Sequence, residues 1–270
     1  MLDFLLSSDA IIALFTLTFL EIILGIDNIV FISIAANKLP EHQRAKVTRY
    51  GLLLAMVQRV ILLFFVSFLV SLSDPFWIID LGWFVHHMSW QSIILFVGGL
   101  FLIYKSTSEI RDKVETPQHD ETIIKNKKIK TLKSAIIQIL LIDFIFSIDS
   151  ILTAVGMTNG LSENQNHNLL LMILAVVISI GIMIKFANPI REFINLHPSM
   201  QILGLSFLIL IGFMLITEAG HLSETQFFGK GIGAIPKGYL YFAITFSLLV
   251  EFLNYKMVKR KDDNKSNSED

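Results

Sequence analysis

The chain has 270 residues, 53% of them hydrophobic and only 17% charged, and its mean hydropathy is +0.64. Soluble domains run about 45–50% apolar and about 25% charged, so this composition lies on the membrane side. The net charge of −1 carries no message about partners, because the charge is segregated along the chain, and the absence of cysteine excludes disulfides, thiolate metal sites and thiol catalysis together.

The N-terminal stretch Met1–Asp9 lacks the positive region of a signal peptide and reads as the outer flank of a first membrane helix. Apolar runs of membrane-spanning length then follow near 10–36, 50–72, 90–108, 133–157, 168–186, 200–218 and 238–257. The fold expected is an all-α membrane protein of seven transmembrane helices. Pro75, Pro117, Asn188-Pro189, His197-Pro198 and Pro236 all fall in the predicted connections, where helix breakers belong. Trp77, Trp83 and Trp90 cluster in one connection, as in an interfacial aromatic belt.

Charge sets the expected orientation. Of the 22 Lys and Arg residues, 19 fall in alternate connections and the tail, while only Lys230 and Lys237 fall on the other side. Arg59 is the exception, because it lies within the second span. Positive residues collect in the cytoplasm, which places the N-terminus outside and the C-terminus inside.

Two segments carry one pattern of polar residues. Glu21-Ile-Ile-Leu-Gly-Ile-Asp27-Asn28 in the first span is matched 122 positions later by Asp143-Phe-Ile-Phe-Ser-Ile-Asp149-Ser150 in the fourth. Gly99–Lys105 in the third span similarly matches Gly212–Glu218 in the sixth. Because the first and fourth spans run in opposite directions, the halves form an inverted-topology repeat, a recurring plan of transporters. The domain reading is one transmembrane domain over 1–257. It comprises repeat one (8–108), a charged cytoplasmic connector (109–132), repeat two (133–220) and an extra seventh helix (238–257), followed by a disordered cytoplasmic tail (258–270).

Intramembrane carboxylates cost roughly 2.5–3.5 kcal/mol each on insertion scales, so a duplicated set points to use rather than accident. The candidate metal ligands are Glu21, Asp27, Asn28, Asp143, Ser147, Asp149 and Ser150. Their oxygens suit hard divalent cations such as Mn²⁺, Mg²⁺ or Ca²⁺. All seven histidines fall in connections or at span ends, which argues against a His-rich zinc site in the core. At about 100° per residue, Glu21 and Asn28 share a helix face and Asp27 points about 120° away. A single four-carboxylate site therefore needs either local unwinding, with Gly25 and Ser147 as the equivalent points, or a third element. The inverted topology puts Glu21 and Asp149 towards the outer side of the midplane, and Asp27 and Asp143 towards the inner side. Arg59, about 12 Å into the second span, reads as a counter-ion to one carboxylate. Glu218 and Glu251 are candidate path residues.

The stretches Glu21-Ile-Ile-Leu-Gly-Ile-Asp-Asn-Ile-Val-Phe31, Arg49-Tyr-Gly-Leu-Leu-Leu-Ala55, Gly98-Gly-Leu-Phe-Leu-Ile-Tyr-Lys105 and Asp143-Phe-Ile-Phe-Ser-Ile-Asp-Ser-Ile151 resemble the TerC family of membrane proteins. The likeness extends from about residue 8 to 257. It implies a multi-pass protein of the bacterial cell membrane, associated with manganese export and with supplying metal to secreted proteins. It also implies that Glu21, Asp27, Asn28, Asp143 and Asp149 belong to an ion path.

The function expected is export of a divalent cation, most readily manganese, with no enzymatic activity, no prosthetic group and no nucleic-acid partner. The lipid bilayer and the transported metal are the implied partners. The alternative is a membrane scaffold that hands metal to the secretion machinery or to exported proteins without transporting it alone. An intramembrane aspartyl protease fits less well, since neither acidic pair has a Gly-x-Gly-Asp sequence.

Overall fold

The computed structural model describes the backbone of residues 2–37, 39–115, 132–162 and 164–269. Side chains are described throughout these ranges except at 2–3, 24, 26–28, 30, 37, 196, 198, 252, 255 and 258–269. Each expected apolar stretch lies in helix, the second with a break at Phe65. In chain order the elements are α1 (Leu2–Leu5), α2 (Ser8–Asn37), α3 (Glu41–Phe64), α4 (Val66–Ser71), β1 (Trp77–Asp80) and β2 (Phe84–Met88). Then come α5 (Trp90–Glu115), α6 (Leu132–Thr158), α7 (Gln165–Leu196), α8 (Pro198–Leu222), β3 (Gln226–Phe227), β4 (Lys230–Gly231) and α9 (Lys237–Glu269). Among the described residues, five helices are long and apolar enough to cross a membrane: Glu41–Phe64, Trp90–Glu115, Leu132–Thr158, Gln165–Asn195 and Ser199–Leu222. Large apolar side chains such as Phe15, Phe64, Phe68, Leu100 and Phe213 are exposed on these helices, α2 and α4. With lipid as solvent, outward-facing apolar residues carry no penalty.

The helices overrun the expected spans. α7 continues through Pro189, which was assigned to a connection, and ends only at Leu196. A proline inside a membrane helix frees one carbonyl but does not end the helix when the flanking turns hold. Pro198, by contrast, is the first residue of a new helix, where no N–H is needed. α9 likewise runs past 257 to Glu269, into the segment expected as an unstructured tail. The expected connector 109–132 is helical up to Glu115, as the end of α5; its remainder up to 131 lies outside the described residues.

Named contacts fix the relative directions of the helices. Gln58 of α3 donates to the Leu140 carbonyl at 3.1 Å, Arg59 reaches Asp143, and Val70 of α4, which follows α3 directly, lines one pocket with Val155, so α3 and α6 are parallel. The Phe4 ring stacks on His167 at 4.9 Å, and Gly25 lies against Met183, so α2 and α7 are also parallel. α5 and α8 are antiparallel: His87 N–H donates to the Ser223 carbonyl at one end, and Lys113 meets Gln201 at the other. Midway, a Cβ on Gly99 would lie 2.5 Å from the Gly212 carbonyl oxygen, and one on Gly212 would lie 2.8 Å from that of Gly99. Only glycine allows the backbones so close.

Helix pairing follows a pseudo-two-fold exchange of α2 with α6, α3 with α7, and α5 with α8. The pairs α2–α6, α3–α7 and α5–α8 map onto themselves, whereas α2–α7 maps onto α3–α6, and α2–α8 onto α5–α6.

The sequence reading did not anticipate a small sheet of order β1-β2-β3-β4 that joins the connection before α5 to the one after α8. β1 and β2 are antiparallel with Trp77 opposite Met88, and Phe84 of β2 lies opposite Phe227 of β3. Phe228 and Gly229, between β3 and β4, both have positive φ (52° and 74°), the backbone of a tight hairpin turn. These strands are too short, at two to five residues, to leave a period-two signal. Residues 1–234 form one compact unit and 235–270 a second.

Candidate functional site

α2 and α6 carry the two acidic motifs, and both are continuous helices through Gly25 and Ser147. The expected local unwinding is therefore absent. The third element is α3. Arg59 projects between the two motifs and its guanidinium serves both: Nη1 donates to Glu21 Oε2, Nη2 to Asp143 Oδ1 at 2.7 Å, and Nε to Ser147 Oγ at 3.1 Å. Ser147 Oγ in turn donates to Asp143 Oδ2 at 3.2 Å. Relative exposures are 4% for Glu21, 3% for Arg59, 5% for Asp143 and 0% for Ser147.

A buried charge needs both a partner and satisfied hydrogen bonds, and the planar fork of arginine supplies several fixed donors at once. One guanidinium facing two carboxylates leaves a formal excess of one negative charge in a low-dielectric interior. Arg59 pairs with two carboxylates, where the sequence suggests one. The expected split in depth is lost as well, since Glu21 and Asp143 meet on the same guanidinium.

The other motif residues stand apart from this cluster. Residue 27 is six positions, or about 9 Å, along α2 from Glu21, and residue 149 is as far along α6 from Asp143. Arg59 of α3 meets Glu21 of α2 while Leu52 lines a cavity with Phe31 and Ile32, so α2 and α3 run oppositely; α3 is parallel to α6, so α2 and α6 are antiparallel. The two displacements therefore point in opposite directions, which spaces the four motif carboxylate positions in tiers rather than around one ion. The side chains of Asp27 and Asn28 lie outside the described residues. Asp149 is half-buried, and Ser150 Oγ donates to the Ser147 carbonyl at 3.4 Å. Among the described residues, no group of three or more His, Asp or Glu is placed to hold a metal ion. Glu218 is half-buried on α8, and Glu251 is half-buried on α9.

Two cavities accompany the cluster. One of about 20 Å³ is lined by Arg59, Asp143 and Met183 with apolar neighbours including Ile142 and Ile180. That is room for about one water-sized particle. A larger, open pocket of about 350 Å³ lies beyond Asp149 at the C-terminal end of α6, with Ser67, Thr158, Asn159, Gln165 and Asn168 among its walls.

Residues 6–266 match the family described as "Integral membrane protein TerC family". The chain belongs to the TerC family. It is 40% identical over 257 residues to a UPF0053 protein of Haemophilus influenzae, covering 95% of this chain and 98% of that one. It is 43% identical over 246 residues to the UPF0053 inner membrane protein YgdQ of Escherichia coli K12, covering 91% and 92% respectively. YoaE, another UPF0053 inner membrane protein of that strain, matches at 39% over 94% of this chain but only 44% of its own length. No solved structure matches the chain. This TerC-family chain is a multi-pass protein of the cell membrane.

Sequence reasoning missed Met183 and Glu109. Glu109 is 3% exposed and pairs with Lys105 at 2.6 Å, one turn away on α5. An i, i+4 Lys–Glu spacing looks like ordinary surface patterning, so nothing in the sequence marked it as buried. Met183 lies against Gly25, the equivalent of Ser147 under the 122-residue offset. Because Arg59 contacts Ser147, Met183 is the pseudo-symmetric counterpart of Arg59. No motif relates the second and fifth spans, so this correspondence emerges only from packing.

Proposed function

We propose that this TerC-family protein is a secondary transporter that exports a divalent cation, manganese foremost, across the cell membrane by alternating access. The observation that carries the reading is the convergence of Glu21 and Asp143, equivalent members of a repeated motif, on one buried guanidinium. A cluster of ionised groups at membrane depth is costly, and its natural use is an ion path. In this reading seven helices span the bilayer, with the N-terminus outside and the C-terminus inside. α2, α3 and α5 are related to α6, α7 and α8 as an inverted repeat, and α9 is additional.

Asp27 and Asp149 then flank the Glu21–Asp143 tier on opposite sides, as loading and release carboxylates. Asn28, Ser147 and Ser150 contribute neutral oxygens. The polar-walled pocket beyond Asp149 is the mouth on one side, and Glu218 lies along the path. Hard oxygen donors without thiolates favour manganese or magnesium over soft metals.

The test is manganese flux in proteoliposomes holding only this protein, compared between wild type, Asp27→Asn and Asp149→Asn. Wild type is expected to move manganese unaided and each variant to lose most of that flux while remaining folded. Wild-type flux in both variants would refute the assigned roles. No flux in wild type would favour a scaffold that passes metal to the secretion machinery.

A further inference from the structure

The acidic tier is symmetric and its cation is not. Glu21 and Asp143 occupy equivalent positions on α2 and α6, but the single guanidinium between them comes from α3 alone, and its counterpart on α7 is the neutral thioether of Met183. Arg59 spends three of its donors on this tier, binding both carboxylates and Ser147. The adjoining cavity of about 20 Å³ reaches Asp143 and Met183, and it admits a single water-sized particle but no second guanidinium. A tethered positive charge thus sits where an incoming cation would bind, with room for only one of them to be fully coordinated.

We propose that Arg59 is an internal competitor cation. It neutralises the Glu21–Asp143 tier when no metal is aboard, and metal occupies the tier only by displacing the guanidinium. This rests on the transport reading above and adds the device that lets the empty carrier return, so that net movement rather than exchange alone is possible. Without a cation, two facing carboxylates in a low-dielectric interior repel each other and resist closure. With Arg59 in place the empty carrier can close and return. The guanidinium cannot leave its helix, so the compensating charge never crosses the membrane. Apparent metal affinity is correspondingly reduced by the fraction of molecules in which Arg59 holds the tier.

The test uses the full chain in proteoliposomes, with manganese as the probe, comparing wild type, Arg59→Gln, Arg59→Lys and the charge-matched double variant Arg59→Gln/Glu21→Gln. Two fluxes are read: net efflux into metal-free buffer, and exchange of labelled for unlabelled manganese. For Arg59→Gln, half-saturation of exchange is expected to fall about tenfold, as for a site freed from a competitor that held it about nine-tenths of the time. Net efflux should collapse because the empty carrier no longer returns, whereas exchange persists. Arg59→Lys should recover part of the net efflux; in the double variant, whose empty site carries the wild-type charge, net efflux should be as large a fraction of exchange as in wild type, although the loss of Glu21 weakens metal binding and lowers both.

Net efflux and half-saturation equal to wild type in Arg59→Gln would overturn the proposal while leaving the transport reading intact. Loss of both fluxes in Arg59→Gln and in Arg59→Lys alike would assign Arg59 a purely structural role and would also overturn it. Absence of manganese flux in wild type would refute the transport reading, and the proposal with it.

Discussion

The Gly99–Gly212 crossing offers the most direct test of the helix packing. Replacing Gly99 with Ala places a methyl 2.5 Å from the Gly212 carbonyl oxygen and 2.8 Å from Ile216 Cγ1. The first of these is backbone, so no rotamer change relieves it. Restoring even a tight contact of 3.0–3.4 Å requires α5 and α8 to separate by about 0.5–0.9 Å along a pair that is otherwise packed end to end. Overpacking of this kind costs about 1–3 kcal/mol. Alanine itself gains about 1 kcal/mol over glycine in a helix interior.

A fair control is therefore Gly156→Ala on α6, where nothing lies within 4 Å of the added methyl and only the propensity gain remains. The two variants should differ by about 1–3 kcal/mol, with Gly99→Ala the weaker. Unfolding in mixed detergent micelles, followed by tryptophan fluorescence, measures both. Equal stability of the two variants would mean that the backbones do not cross at this point, and the pseudo-two-fold arrangement built on it would fall.

Two further outcomes follow from named groups. Partial burial, and to a lesser degree the neighbouring His87, lower the pKa of His86 below its ordinary 6.5. The folded state therefore binds that proton less readily than the unfolded state does. Stability is full above pH 6.5 and declines as pH falls through 6.5 towards the depressed folded value. His86→Gln, which can keep a bond to Thr225, should flatten this decline; an unchanged pH profile of the unfolding midpoint would exclude His86 as its source. Glu109→Gln breaks a pair whose carboxylate is buried, and should cost about 1–3 kcal/mol in the same unfolding assay. Glu115→Gln, which breaks the exposed Arg111–Glu115 pair, should cost under about 1 kcal/mol, and similar losses for both would contradict the burial assigned to Glu109.

The membrane class, the positions of the apolar helices and the repeated acidic motif were legible in the sequence. Each is written in composition or in local spacing: apolar runs of bilayer length are helical because lipid offers the backbone no other hydrogen-bond partner. The family was legible for the same reason, since its motifs are contiguous. The limits of helices were less so. Pro189 reads as a breaker in the sequence but sits inside α7, because the turns on either side hold without its one missing donor. The sheet of Trp77–Met88 with Gln226–Gly231 left no trace, being made of short strands brought together from two distant connections.

The paired carboxylates show where sequence stops and tertiary structure begins. Glu21 and Asp143 are recognisable as equivalents from a 122-residue offset alone, because equal spacing in two helices is a one-dimensional property. Their meeting on Arg59 is not, because it depends on α3 lying parallel to α6 while α2 runs against both. Helix-wheel geometry by itself required bent helices or a third element, and packing supplied the third element, leaving α2 and α6 unbroken. Arg59 could be read from the sequence as a buried charge in want of a partner; that it holds both halves of the repeat at once is a consequence of three helices converging in space.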